Sequence, residues 1–279
     1  MDGVFFSFLV CTLNRQKELR RCIDSLMNQS DKDYEIIIVD QSDTINTDYD
    51  NLSAIKYIHI NKKGLSNARN VGLKEVNGKY IALIDDDAIY DIDYLEKAKG
   101  FITNHKNIGI VAGRGIDATT NETLLRGMNV DHEKRVTWNT IFNYCISAAM
   151  IIEVELLKDG FDDRFGIGSE YGAGEETDIV IKSLGRQKDV FFNPEMKMYH
   201  PKTGDQNTDF ERIYRYNMGF GALMKKHMKE TNRIIFLYLY IRMVFKSCVG
   251  AMLWLFGIGK YEYTVYALKG RITGFRRYD

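Results

Sequence analysis

One pattern restricts this chain more than any other. Between residues 4 and 112, short Val/Ile-rich runs alternate with amphipathic stretches of helix length. Strands are predicted at residues 4–11, 34–40, 55–60, 80–84 and 108–112, and helices at 16–28, 65–76 and 94–104. Strands buried on both faces read as continuous apolar runs, so the pattern predicts an α/β fold with a mainly parallel sheet flanked by helices. Further on, a polar stretch of weak periodicity covers 117–135, and a small-residue run at 146–152 returns to the core. A glycine-rich loop at 165–174 opens into a helix predicted at 175–184, and a strand at 190–193 leads to His200.

At 279 residues with 45% hydrophobic side chains, the chain can bury a sizeable core in one large or two smaller domains. Its formal charge is zero, yet residues 1–201 carry 24 Lys/Arg against 32 Asp/Glu, whereas residues 202–279 carry 14 against 6. This change of character divides the chain into an acidic α/β body, 1–205, and a basic, apolar helical region, 206–279. The body lacks the basic face that phosphate backbones require, so nucleic acid is not an expected partner. Four scattered cysteines without CxxC spacing disfavour structural zinc and disulfides and fit a reducing compartment. The apolar N-terminus lacks a basic segment and a small-residue cleavage site, and reads as a first strand rather than a signal peptide.

The strongest chemical signal is Tyr80-Ile-Ala-Leu-Ile-Asp-Asp-Asp, an apolar strand ending in Asp85, Asp86 and Asp87. Open α/β sheets bind ligands beyond the carboxyl ends of their strands. Clustered carboxylates need a cation or hydrogen-bond donors to offset their repulsion, and their oxygens suit Mg²⁺ or Mn²⁺ bridging to phosphates. A helix cap would need one acid, not three. His200 follows another strand; a lone histidine is more often structural, but an imidazole can join carboxylates on such an ion. Gly174-Glu-Glu-Thr-Asp puts Glu175, Glu176 and Asp178 in a helix's first turn, where acids either meet the positive helix end or serve as a general base. Asp40 ends a strand, in a position to accept from a base N–H or a ribose hydroxyl. Ser66, Asn67 and Arg69 open a helix, a combination that suits a diphosphate; the alternative for Arg69 is a surface ion pair. No Gly-Lys-Ser/Thr follows the glycine-rich loop, and Gly113-Arg-Gly115 lacks the third glycine of a dinucleotide fingerprint.

Taken in order, Cys11-Thr-Leu-Asn-Arg, Val39-Asp-Gln-Ser, Gly64-Leu-Ser-Asn-Ala-Arg-Asn-Val-Gly, Leu83-Ile-Asp-Asp-Asp, Gly174-Glu-Glu-Thr-Asp and His200 resemble family 2 glycosyltransferases over about residues 4–201. The resemblance implies a GT-A fold, Rossmann-like, here with a C-terminal helical extension. It implies nucleoside contacts from Thr12 and Asp40, a diphosphate contact from Arg69, and further donor contacts from Asn14, Asp85 and Asp86. A divalent ion, Mn²⁺ or Mg²⁺, would sit on Asp87, Asp85 and His200. The catalytic base would be Glu176, with Asp178 and Glu175 as alternatives. The chain departs from the family pattern at Cys11 (usually Pro), at Gln41 (commonly Asp) and at Glu175-Glu176 (usually Glu-Asp). The implied reaction is inverting: Glu176 deprotonates an acceptor hydroxyl as it attacks a nucleotide sugar, with UDP-sugar ahead of dTDP- or GDP-sugar. The ion would neutralise charge on the departing diphosphate, and the 165–174 loop would close over the donor. Acceptor specificity is expected in 117–137.

Residues 210–229 are predicted as a basic helix. In 234–259 only Arg242 and Lys246 are charged, and the longest uncharged run, 247–259, is 13 residues, short of the ~20 that a membrane span needs. Each central cation would cost about 2.5–3.5 kcal/mol on insertion, so the segment is expected to lie in the membrane interface. The alternative is a helix packed on the body or on a second subunit of a homo-oligomer. The Gln-x-x-Arg-Trp motif of processive synthases precedes neither Trp138 nor Trp254. The resemblance therefore implies transfer of one or a few sugars to a lipid-linked glycan acceptor in surface polysaccharide assembly. The protein would be cytoplasmic, bound peripherally to the inner face of the membrane. Three other readings stay open: a sugar nucleotidyltransferase, an inactive nucleotide-binding scaffold, and a polyanion-binding module using the tail.

Overall fold

The computed structural model describes residues 3–49, 54–201 and 209–279. By packing it divides into two units, Met1–Phe161 with Ile179–Lys202, and Asp162–Asp178 with Thr203–Asp279. Composition alone put the change at 205/206; the segment 162–178 groups with the C-terminal helices.

The first unit runs β1 (Phe6–Thr12), α1 (Gln16–Met27), β2 (Tyr34–Asp40), β3 (Ile55–His59), α2 (Leu65–Leu73), β4 (Tyr80–Asp85), β5 (Ile89–Tyr90), α3 (Tyr94–Asn104), β6 (Ile108–Asp117), β7 (Lys134–Arg135) and β8 (Met150–Glu153). Helix α4 (Glu175–Gly185) then leads to β9 (Asp189–His200). One sheet has the order β3-β2-β1-β4-β8-β6-β9-β5, with β7 paired to β9. Its core strands bury both faces: Phe6, Phe8, Val10 and Leu9 of β1, Ile36 to Val39 of β2, and Ile81 to Ile84 of β4 are all nearly inaccessible. Helix α2 lies close on this sheet at Gly72, where a Cβ would come within 2.3 Å of Leu9 Cδ1.

The sheet is less parallel than its apolar runs predict. It is parallel over β3-β2-β1-β4 and between β6 and β9, but β8 is antiparallel to both β4 and β6, and β5 and β7 are antiparallel to β9. An apolar run fixes burial, not direction. A parallel return usually needs a helical crossover, and residues 118–149 contain only short 3₁₀ turns and β7. β9 also runs seven residues past its predicted end. Pro194 hides the continuation, and the ladder absorbs it at a register shift between the pairs Gly113–Asn193 and Arg114–Lys197.

The second unit holds α5 (Phe210–Glu230), α6 (Arg233–Leu255) and α7 (Tyr263–Arg277) beside the 162–178 segment. The sequence reading missed α7 as an element. α5 and α7 approach at Gly270 and Gly274, where a Cβ would lie 2.3 Å from Tyr214 O and 1.9 Å from Met218 O. Only glycine permits backbones so near. Asn232 caps α6, its side chain accepting from the Ile234 and Ile235 amides at 3.1 Å.

Candidate active site

The chain leaves β1 for β2 on one side and later returns as β4 on the other. In α/β sheets such a reversal is where ligands bind, beyond the carboxyl ends of the two adjacent parallel strands. Cys11 of β1 lies opposite Asp85 of β4, so Thr12 and the Asp85–Asp87 run share that end. Thr12 Oγ1 donates to Asp86 Oδ2 at 2.7 Å. Arg15, just ahead of α1, donates to Asp86 Oδ1 at 3.2 Å and to Asp87 Oδ2 at 2.7 Å. β5 follows the acids directly and pairs Ile89 with Tyr199 and Tyr90 with Met198, which sets the end of β9 beside them. His200 Nε2 thereby stands 2.9 Å from Asp87 Oδ1 and 3.9 Å from Asp85 Oδ2. Arg69 of α2 is buried, with Nη2 3.6 Å from Asp85 Oδ1 and its guanidinium 5.5 Å over the Phe161 ring. The fold thus gathers Thr12, Arg69, Asp85, Asp86, Asp87 and His200.

Their charges are unequally compensated. Burial pushes the Asp86 carboxyl above its ordinary value, and Thr12 and Arg15 only partly offset it. Burial also raises Asp87, but His200 and Arg15 outweigh it and hold that carboxyl below the usual range. Burial lowers the His200 imidazole while Asp87 and Asp85 raise it, leaving it above its ordinary value. His200 Nδ1 donates to Pro201 O at 2.7 Å, which turns Nε2 toward the acids. Among the described residues no three His, Cys, Asp or Glu side chains are arranged around one point as a metal group; Arg15 and His200 pair with Asp86 and Asp87.

Asn14 and Asp40 belong to an adjoining cluster. Asp40 is buried and both its oxygens already accept, Oδ1 from the Ser42 amide at 2.7 Å and Oδ2 from Tyr57 OH at 2.8 Å. Asn14, at φ 57°, donates its amide to Ser42 Oγ at 2.7 Å and pairs with Asp43 through its side chain. Sequence reasoning gave Arg15 no role. The signal was there: three adjacent carboxylates demand a nearby cation, and Arg15 closes the first motif.

In the second unit, Glu175 and Glu176 open α4 after Gly174, whose φ of +110° only glycine adopts easily. Glu175 is buried and Glu176 half-buried, with Thr177 Oγ1 3.5 Å from Glu176 Oε1. Asp178 is held by α5: His227 Nε2 donates to its Oδ1 at 2.7 Å, and Lys226 Nζ lies 3.0 Å away. Lys226 also reaches Asp162 Oδ2 at 3.0 Å. Burial lowers the lysine, but Asp178 and Asp162 hold it above its ordinary value. Lys226 and His227 were not anticipated, because only tertiary packing brings α5 to this turn.

Strand order and acids at the switch point define a GT-A-type α/β protein. Two solved structures share the fold. S. aureus TarS 1–349 in complex with UDP-GlcNAc has a TM-score of 0.61 and 17% identity, over 98% of this chain and 89% of that one. Mannosyltransferase PcManGT from Pyrobaculum calidifontis in complex with GDP-Man and Mn²⁺ has a TM-score of 0.64 and 12% identity, over 98% and 87%. Residues 7–161 match Glycosyl transferase family 2, and the chain belongs to that family. The match takes in Thr12 to Asp87 but ends before Glu175, Glu176, Asp178 and His200. Among similar proteins, the putative glycosyltransferase EpsH of Bacillus subtilis is 37% identical over 103 residues, 35% of this chain and 30% of that protein. A PGL/p-HBAD biosynthesis glycosyltransferase of Mycobacterium bovis is 30% identical over 129 residues, 43% and 50% respectively. The similarity therefore spans 30% to 50% of these relatives' lengths.

Proposed function

We propose that this protein is an inverting glycosyltransferase. It moves a sugar from a nucleoside-diphosphate donor to a hydroxyl of a lipid-linked glycan acceptor, in surface polysaccharide assembly. The observation that carries this reading is the cluster at the ends of β1, β4 and β9, where acids, Arg69 and His200 meet at a switch point. The solved neighbours bound to UDP-GlcNAc and to GDP-Man with Mn²⁺ support a nucleotide sugar as donor; in this reading UDP-sugar comes ahead of GDP- or dTDP-sugar.

Thr12 and Asp40 bind the nucleoside in this reading, Asn14, Asp85 and Asp86 add contacts to the donor, and Arg69 takes the diphosphate. Glu176 accepts the proton of the attacking hydroxyl, which needs a carboxylate at hydrogen-bond reach. Asp178, engaged by His227 and Lys226, is the weaker candidate. Asp87, Asp85 and His200 offer the oxygen and nitrogen donors that Mn²⁺ or Mg²⁺ takes, and in this reading they would have to draw together around the ion, since they are not arranged around one point here. When bound, such an ion offsets charge on the departing diphosphate. The 206–279 region keeps the protein at the inner membrane face, near its acceptor.

The test is thermal stability against UDP, GDP, dTDP and CMP, each with and without Mn²⁺. A ligand selective for the folded state adds RT ln(1 + [L]/Kd), about 2.7 kcal/mol at a hundredfold excess. One nucleotide should stabilise the protein in a metal-dependent way, and Asp87→Ala should abolish the shift. No shift with any nucleotide would sink the donor site. A shift without sugar transfer would point to the scaffold reading instead.

A further inference from the structure

We propose that α6 docks flat on an anionic lipid surface, entering the interface with one face and not crossing the bilayer. This rests on the reading that the C-terminal region is membrane-associated, and it names the element, its orientation and its depth.

By length and composition α6 is apolar enough to span a membrane, yet only 28% of its most apolar window is buried. One face is already occupied within its own unit. Phe236, Leu239, Ser247 and Gly250 are buried there, and a Cβ on Gly250 would lie 2.6 Å from Thr264 Cγ2. Arg271 of α7 donates to Met243 O and Ser247 Oγ, each at 2.6 Å. A spanning α6 would carry Arg271 toward the bilayer centre together with Arg242 and Lys246, where cations are costly.

The opposite face is inverted relative to a water-facing helix. Ile234, Tyr238, Ile241, Phe245, Met252 and the capping Phe256 succeed one another at three-, four- or seven-residue spacing, on a single stripe. All are exposed: Ile234 by 81%, Phe245 by 68% and Phe256 by 75%. Arg242 and Lys246, also exposed, flank the stripe at mid-helix.

Charge selects the occupant. From residue 231 to 261 the chain carries Arg233, Arg242, Lys246 and Lys260 and no Asp or Glu. An isologous pairing of two α6 stripes about their centres would set the cations of one copy against those of the other in a segment that carries no Asp or Glu of its own. An anionic lipid surface is the partner of opposite charge to this segment. The stripe enters the acyl boundary, while the cations stay at phosphate depth.

Flotation of the full chain with phosphatidylcholine vesicles, with and without phosphatidylglycerol, tests this. The protein should float with the anionic vesicles. The double substitution Ile241→Glu/Phe245→Glu should weaken that partitioning by about tenfold or more. Arg242→Gln/Lys246→Gln should weaken it less, and only on anionic vesicles. Both variants should keep the wild-type thermal transition, since these side chains are exposed. In Phe245→Trp, quenching above the wild-type level should be strongest from lipids brominated near the headgroup. Strongest quenching from deep bromines would mean a spanning helix and overturn the proposal. If wild type and the Glu variant float equally, the membrane reading stands and the assignment to α6 fails. If wild type floats with no vesicle, the membrane reading itself fails. An α6-dependent dimer without vesicle binding would assign the stripe to a second copy.

Discussion

Each unit contains a cluster of carboxylates and cations, and the two clusters are finished differently. In the first, Asp85, Asp86 and Asp87 meet Arg15, Arg69 and His200, but the side chains of Asp85 and Arg15 stay 36% and 49% exposed. Burial leaves Asp86 above its ordinary value despite two partners. In the second, Asp178 and Lys226 are 1% and 5% exposed by side chain, and His227 and Asp162 complete the pairing. A structural ion-pair network is closed and compensated. A site awaiting a ligand keeps an open side and a charge the fold leaves incompletely offset. Clustered acids alone do not separate the two.

The largest separation should appear in turnover. Glu176→Gln removes the proposed base and is expected to reduce kcat by about 10²–10⁴-fold, the usual contribution of a positioned general base, with the fold intact. Asp178→Asn should reduce activity mainly by lowering the amount of folded protein. Steady-state rates normalised to the folded fraction decide between them. Near-normal kcat in Glu176→Gln would remove Glu176 from the role.

Stability should then move in opposite directions for one and the same substitution. Asp178→Asn breaks a buried pair and leaves Lys226 with Asp162 alone, an effect of about 3 kcal/mol. Asp86→Asn removes a charge that its surroundings disfavour, so the unfolding midpoint should hold or rise while nucleotide binding falls. Denaturant unfolding of both variants measures the signs. Destabilisation by both would mean that the first cluster is structural as well.

The asymmetry also explains what the sequence could disclose. The first cluster is written locally: Thr12 and Asp85–Asp87 stand at the ends of apolar strands, so finding the strands finds the candidate site. The α/β class was legible for the same reason. Strand direction was not, because the residues of β8 bury equally well either way. Arg15 was visible but unassigned until β1 and β4 lay side by side. The second cluster joins Asp162 and Asp178 to Lys226 and His227, 48 to 64 residues later. No local pattern marks that pairing, and α7 went unseen because its glycines serve packing rather than helix propensity.

The smallest effect is the most specific to the closed cluster. Arg164 Nη2, at 2.9 Å from Oδ2, and Lys226 together pull Asp162 down from 3.8 to about 2, although burial alone would raise it. A carboxyl whose folded value is depressed contributes stability fully above its unfolded value. That contribution falls as pH drops through the unfolded value and is gone below the folded one. Between about pH 5 and pH 2 the protein should lose about 1–2 kcal/mol through this group. Asp162→Asn should lower stability at pH 7 by a similar amount and flatten the profile below pH 5. Urea midpoints for wild type and variant across pH 3–7 measure the difference. Parallel curves would show that Arg164 and Lys226 do not hold Asp162 in solution as they do here, and the second cluster would then be as open as the first.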